Sequence, residues 1–402
     1  MGTQLASRLS VVAPSATLAM AARAAKLRDQ GHRVFAFGVG EPDFHTPANI
    51  REAAKKAIDT GCSHYTAVTG TVALKKAICA ATERDRGFAP TPDQVVVSCG
   101  AKHALFNLAL ALYEPGDEVI IPAPFWVSYP EQVRMVGATP VIVPTKEEEN
   151  WLLSPEALKA AISPKTKAII LCTPSNPTGS AYPREHLLAL AKVLASTDAF
   201  IVVDEIYAEL VYDGFQHHSL AALAPELKDR LIVIDGVAKT YAMTGWRIGW
   251  SISPPAVAKA LDVIQGQSTT NPAAVSQEAA IEALTGPRDE IRRMRAAFQE
   301  RRGRMVEGLR SVPGVRCRMP DGAFYAFADV RGLFGLRNGD KQLATDEDVA
   351  FWLLDTAHVA AVPGKPFGAP GYLRFSYASS TETIEQGIAA MKAAVLAAST
   401  PR

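Results

Sequence analysis

The chain has 402 residues, 48% of them hydrophobic and 21% charged, with a formal charge of +1. That length allows a large core divided over two or three domains, and the near-zero charge offers no basic surplus for nucleic acid or an anionic membrane. The five cysteines (Cys62, Cys79, Cys99, Cys172 and Cys317) form no C-x-x-C pair, which excludes a zinc ribbon or disulfide framework. They point to free thiols in a reducing compartment, so the expected location is the cytoplasm. The one adjacent histidine pair, His217-His218, lacks a neighbouring carboxylate–histidine ligand spacing, and no metal is expected. No apolar run approaches the ~18–20 residues that span a bilayer. Gly2 is not a myristoylation signal, because Ala6 stands where a hydroxyl residue is required.

In chain order, Ser15 is placed to cap a helix in which Leu18, Ala22 and Ala25 share a face. Gly38-Val39-Gly40-Glu41-Pro42-Asp43-Phe44 reads as a loop, with Gly40 permitting close approach to a ligand or simply a turn. Between residues 90 and 255 apolar runs alternate with helical stretches. The predicted strands are Gln94–Ser98, Glu118–Pro122, Pro140–Pro144, Lys167–Cys172, Phe200–Asp204, Leu231–Asp235 and Gly249–Ser253. Helices are predicted at Lys102–Leu112, Trp126–Val136, Pro155–Ile162 and Arg184–Leu194. Unbroken Val/Ile runs without alternation mean strands buried on both faces, hence an α/β fold with a mostly parallel sheet of seven strands covered by helices.

Beyond about residue 260 the pattern changes. A charged helix is predicted from Pro287 to Leu309, then strands at Phe324–Phe327, Val359–Val362 and Tyr372–Ser376, and a last helix near Ile384–Ala397. The stretch Arg331–Thr345, rich in Gly and charge, reads as a surface loop. The expected division is a large domain over residues 46–290 and a smaller α+β domain over 291–402, joined by the segment 1–45.

In open α/β sheets ligands bind beyond the carboxyl ends of the strands. There this sequence places Gly100-Ala101-Lys102 at a helix start, where N–H groups receive an anion. On the same rim follow Trp126, then Asn176 in Ser175-Asn176-Pro177-Thr178-Gly179, then Asp204 and Tyr207, and finally Lys239. An anion cradle, an aromatic plate, an amide, an acid, a phenol and an amine therefore gather together. Desolvated past a strand end, Lys239 can lose its proton and attack an aldehyde. Eight residues on, the Arg247 fork suits a phosphate dianion. An amine for an aldehyde and an arginine for a phosphate point to pyridoxal phosphate.

Each part also has an ordinary reading. Asp204, after three apolar residues, needs a cationic partner such as a protonated pyridine nitrogen, or else caps a helix. Tyr207, one helical turn further, either donates to a ring oxygen or packs. Asn176 is either a ligand or a plain Asn-Pro turn, and Trp126 either stacks on a ring or fills core. Arg374, inside the strand-like Tyr372–Ser376, either grips a carboxylate with both its arms or forms an internal salt bridge.

The string Ala238-Lys239-Thr240-Tyr241-Ala242-Met243-Thr244-Gly245-Trp246-Arg247-Ile248-Gly249 resembles the Schiff-base segment of fold-type I, class I aminotransferases, close to the bacterial aspartate aminotransferase subgroup. GVGEPDF, YTAVTG, SCGAKHALFNL, PFWVSYPE, SNPTG, VVDEIY and YLRFSYA occur in the family's order over nearly the whole chain. The resemblance implies Lys239 as Schiff-base lysine and proton shuttle, Asp204 on the pyridine nitrogen, and Tyr207 and Asn176 at the ring oxygen. It implies Trp126 stacked on the ring, Arg247 and Gly100–Lys102 on the phosphate, and Arg374 with Gly40 on the substrate carboxylate. It further implies Lys102 on the distal carboxylate of an acidic substrate, and a homodimer in which Tyr65 reaches the neighbouring subunit's phosphate.

Two stretches depart from the pattern: Ala238 stands where many relatives carry serine, and TGTVALKKAI follows the YT motif in place of GIPELREA. The expected activity is ping-pong exchange between L-aspartate plus 2-oxoglutarate and oxaloacetate plus L-glutamate. The alternative is prephenate or aromatic transamination. A transcription regulator of this fold needs a basic helix-turn-helix ahead of Gly38, for which the preceding residues leave no room, whereas a β-lyase shares the motifs.

Overall fold

A computed structural model of the chain describes residues 5–14, 16–338 and 341–399. The apolar runs form a seven-stranded sheet: β1 (Val95–Ser98), β2 (Glu118–Ala123), β3 (Thr139–Pro144), β4 (Thr166–Cys172), β5 (Phe200–Asp204), β6 (Leu231–Gly236) and β7 (Gly249–Ile252). Their spatial order is β1-β7-β6-β5-β4-β2-β3, and only β7 runs antiparallel to its neighbours. Helices on both faces bury the Val and Ile side chains of β1, β5 and β6 almost completely, which is why these strands show no alternation. Among the described residues no helix is long and apolar enough to cross a membrane.

A second, antiparallel sheet is built from β8 (Arg316–Cys317), β9 (Tyr325–Asp329), β10 (Val362–Pro363) and β11 (Tyr372–Ser376), in the order β10-β11-β9-β8. The helix Asp289–Arg310 packs on β8 and β9 and on the last helix, Thr381–Ser399. Phe35–Ala36 pairs in parallel with Val359–Ala360, tying the early chain to this region.

Several local expectations are corrected. The predicted strand Val359–Val362 breaks at Ala361, so its halves serve different sheets. Arg331–Thr345 is not a bare loop. It holds a short turn of helix and the paired segments Arg337–Asn338 and Lys341–Gln342, with Leu333 and Leu343 buried beneath. The helix Ala16–Asp29 buries Met20 and Ala24, whereas Leu18 is 70% exposed. The predicted stripe of Leu18, Ala22 and Ala25 is therefore displaced, because Leu18 faces a cleft and not the core. The proposed cap, Ser15, lies outside the described residues.

The predicted helix at Trp126 begins at Ser128, leaving Trp126 in the preceding turn. Tyr207 lies in a turn (Ala208 N–H to Glu205 O, 2.8 Å) and not a helical turn beyond Asp204. His217 does meet a carboxylate that sequence spacing hid: its Nε2 lies 3.3 Å from Glu205.

Candidate active site

The carboxyl ends of β1, β4, β5 and β6 open into a cleft of about 430 Å³, closed on its other side by Gly40, Glu41, Tyr325 and Arg374. Gly100, Ala101, Lys102, Trp126, Asn176, Asp204, Tyr207, Lys239 and Arg247 all stand in or against it. Tyr65 does not; it is 89% exposed on the outer surface.

Lys239 follows β6 by three residues, and its half-buried Nζ donates to Gly40 O at 2.6 Å. Burial, reinforced by the positive charge of Arg374, holds its amine down at about 8. Asp204 ends β5 and is buried. Its Oδ2 accepts from the Tyr129 hydroxyl at 2.7 Å, and its Oδ1 from the Ile206 N–H at 3.2 Å. Desolvation outweighs these donors and lifts the carboxyl to about 6, because no cation lies within ion-pair distance of it among the described residues.

Arg374 is one of the largest fully buried side chains. Its Nη1 donates to Asn176 Oδ1 at 2.8 Å and its Nη2 to Gly38 O at 2.9 Å, while Nε is buried without a partner. The guanidinium lies 4.5 Å from the centre of the Tyr325 ring. Among the described residues no carboxylate pairs with it, so the internal salt bridge that its sequence position allowed is not formed. Tyr325 also bonds Tyr207, hydroxyl to hydroxyl, at 2.8 Å. A Cβ on residue 40 would stand 2.9 Å from the Tyr325 hydroxyl, which is the reason for glycine there.

At the opposite rim, no side chain caps the start of the helix Ala101–Leu112 among the described residues, which leaves the N–H groups of Ala101 and Lys102 for an anion. Arg247, held in the left-handed region at φ 57°, donates to Thr244 O at 2.8 Å and Cys99 O at 3.2 Å. Gly100, at φ +91°, leaves room for it: a Cβ there would lie 2.5 Å from Arg247 Nη2. Lys102 Nζ sits 4.9 Å over the Trp126 ring, and burial, with Arg247 nearby, lowers its ammonium's pKa. Trp126 in turn meets Tyr129 edge-on.

The chain is similar to known proteins over nearly its whole length. The family described as aminotransferase class I and II matches residues 32–391. The aspartate aminotransferase of Geobacillus stearothermophilus is 45% identical over 388 residues, covering 96% of this chain and 97% of that protein. The chain belongs to the class I and II aminotransferases. The aspartate/prephenate aminotransferase of Cereibacter sphaeroides is likewise 45% identical, over 97% of this chain and 98% of that protein. Among solved structures, the aspartate aminotransferase of Rhizobium meliloti superposes with a TM-score of 0.95 at 42% identity, covering 98% of this chain and 99% of that one. That of Thermus thermophilus with maleate gives 0.92 at 39% identity, covering 98% and 100%.

Sequence reasoning missed several cleft residues of this aminotransferase. Tyr129 stands three positions after Trp126, a spacing that could have flagged it once the turn was known. Nothing marked Tyr325, which reads as one more aromatic of a strand. Thr17, Leu18 and Ala21 reach the cleft from a helix far away in sequence, for which no local signal exists.

Proposed function

We propose that this aminotransferase exchanges L-aspartate and 2-oxoglutarate for oxaloacetate and L-glutamate, with pyridoxal 5′-phosphate as cofactor. One observation carries the reading. A single cleft holds a half-buried amine poised near 8 and, among the described residues, a buried carboxylate without a cation and a buried guanidinium without a carboxylate. The residues fit the cofactor: among the described residues Asp204 lacks the cation that a protonated pyridine nitrogen supplies, and Gly100 lets the Arg247 guanidinium lie against the start of the helix Ala101–Leu112, where a phosphate would meet both. Bound there, the cofactor contributes an aldehyde that takes up an amine and a ring that draws electrons from the substrate's Cα.

In this reading Arg247 and the N–H groups of Ala101 and Lys102 hold the phosphate, and Trp126 covers one face of the ring. Asp204, kept in register by Tyr129, holds the ring nitrogen's proton, while Tyr207 and the Asn176 amide address the ring oxygen. Arg374 and the loop at Gly40 orient the substrate's α-carboxylate. Released from Gly40 O, the Lys239 amine would take the proton from the substrate's Cα, hold it at Nζ and give it back as the exchange completes.

Lys102, whose Nζ lies over Trp126 in the cleft, meets the distal carboxylate in this reading, which favours acidic substrates. The maleate bound by the Thermus thermophilus enzyme is such a dicarboxylate. Prephenate remains the second reading, because the Cereibacter sphaeroides relative carries that activity in its name. We further propose a homodimer in which Tyr65 completes the partner's site, and a cytoplasmic setting in keeping with five unpaired cysteines. We retain the division into a large domain, 46–290, and a smaller one, 291–402, with 1–45 joined to it. The pairing of Phe35–Ala36 with Val359–Ala360 supports that junction.

The test mixes holoenzyme with single amino acids and follows loss of the cofactor's bound absorbance. Aspartate and glutamate should react fastest, with prephenate then offered as acceptor. Keto acid and ammonia accumulating without an acceptor would mean a lyase, and indifference to the distal carboxylate would defeat the aspartate assignment.

A further inference from the structure

Two glutamines on the helices Pro255–Gly266 and Ala274–Thr285 are fully buried, and their side-chain amides act on the loop that carries Tyr65. Gln265 uses both ends of its amide. Its Nε2 donates to Val68 O at 2.6 Å and to Val97 O at 2.8 Å. Its Oε1 accepts from Ser98 Oγ at 2.7 Å and from Asn107 Nδ2 at 3.2 Å. Gln277 holds the second half of the loop, donating to Thr66 Oγ1, next to Tyr65, at 2.9 Å and accepting from the Thr71 N–H, where the next helix begins, at 2.8 Å. Between them, Thr69 O accepts from the Val97 N–H at 3.0 Å. Gly70 lies so close to β1 that a Cβ would stand 2.7 Å from Val97 Cγ2.

A surface loop whose main chain is held this firmly while its aromatic residue faces solvent is built to present that residue. Val72, which follows the loop, and Val263, two residues before Gln265, are both more than 60% exposed. The other end of the Gln265 amide grips Ser98, two residues before the Gly100 turn of the chain's own cleft.

Resting on the reading that Tyr65 serves the partner's phosphate, we propose that Gln265 is a positioning residue joining two active sites. Through Val68 it fixes the loop whose Tyr65 completes the partner's site, and through Ser98 it fixes the anion cradle of its own. A buried amide suits this place because it donates and accepts at once. Glutamate has the same shape but no N–H groups for the carbonyls of Val68 and Val97.

The test is a double-mutant cycle on cofactor affinity, titrated spectroscopically on stripped dimers and accompanied by thermal melts. Tyr65→Phe should weaken cofactor binding about tenfold, the scale of one charge-assisted bond. Gln265→Glu should weaken it comparably, and the double variant should be no weaker than about twofold beyond the worse single variant, because the second change removes what the first has already misplaced. A lowered melting temperature alone would not produce that non-additivity. If the two losses multiply in full, Gln265 does not act through Tyr65 and the proposal fails. If Tyr65→Phe leaves affinity unchanged, the shared-site reading itself fails and takes the proposal with it. Should Gln265→Glu not fold, Gln265→Asn enters the cycle: it withdraws both ends of the amide, so its own loss should be larger by the cradle's share, while the double variant should still fall well short of the full product of the two losses, and full multiplication would again overturn the proposal.

Discussion

Asn176 and Arg374 stand 198 positions apart in the chain and share one hydrogen bond of 2.8 Å, Oδ1 accepting from Nη1. With Gly38 O on Nη2, this bond holds the guanidinium over the Tyr325 ring and so sets its direction toward the cleft. A buried arginine is thus pre-oriented by neutral acceptors that leave its charge uncompensated.

Releasing that hold should raise KM more than it lowers kcat. We expect Asn176→Ala to raise KM for aspartate and phenylalanine alike, about tenfold, the effect of losing one bond to a charged group. Steady-state kinetics on both substrates checks this. A collapse of kcat at unchanged KM would assign Asn176 to the cofactor ring alone.

The Lys239 amine, held at about 8, should govern attachment of the cofactor's aldehyde. Attachment rates on stripped protein should rise with pH and level off above about 8, and Lys239→Ala should bind the cofactor without attachment and lose turnover by several orders of magnitude. Stability carries the same signature. Between about 8 and 10.5 the unfolded chain keeps a proton that the folded one has released, so this residue's contribution rises with pH through that window.

Asp204 behaves with the opposite sign. Its folded carboxyl titrates at about 6 against 3.8 unfolded, so without a bound cation its contribution to stability falls as pH climbs through that interval. Asp204→Asn should flatten this dependence in melts of the stripped protein. In the loaded enzyme the same change should slow the half-reaction by roughly 100-fold or more while cofactor affinity drops far less. An unchanged half-reaction rate would reduce Asp204 to a turn cap for Ile206.

Lys102 tests substrate choice. Lys102→Ser should cut kcat/KM for aspartate and glutamate by about 10–150-fold, the equivalent of about 1.5–3 kcal/mol for a charge-assisted contact. Phenylalanine should be spared. Equal losses would place Lys102 on the cofactor phosphate, beside Arg247.

For the dimer, the decisive measurement mixes two inactive proteins, a Tyr65 variant disruptive enough to abolish turnover and Lys239→Ala. Hybrid dimers contain one site with both residues intact, so part of the activity should return after subunit exchange. Exchange demonstrated by mass without recovered turnover would argue against a shared site.

The sheet, its strand limits to within a residue or two, and the gathering of Lys239, Asp204, Asn176 and Lys102 on one rim were all legible in the sequence. The reason is local: a strand buried on both faces must be a continuous apolar run, and residues just past its carboxyl end must share an edge. Contacts between distant segments left no such trace. Whether Arg374 would meet a carboxylate, that Tyr129 would donate to Asp204, that Tyr325 would bridge Tyr207 and Arg374, and that Leu18 would face the cleft instead of the core were decided by packing alone. Periodicity states which side of a helix or strand is apolar. Only the assembled layers determine what stands opposite it, and so how far Lys239 and Asp204 are desolvated and shifted toward each other in pKa.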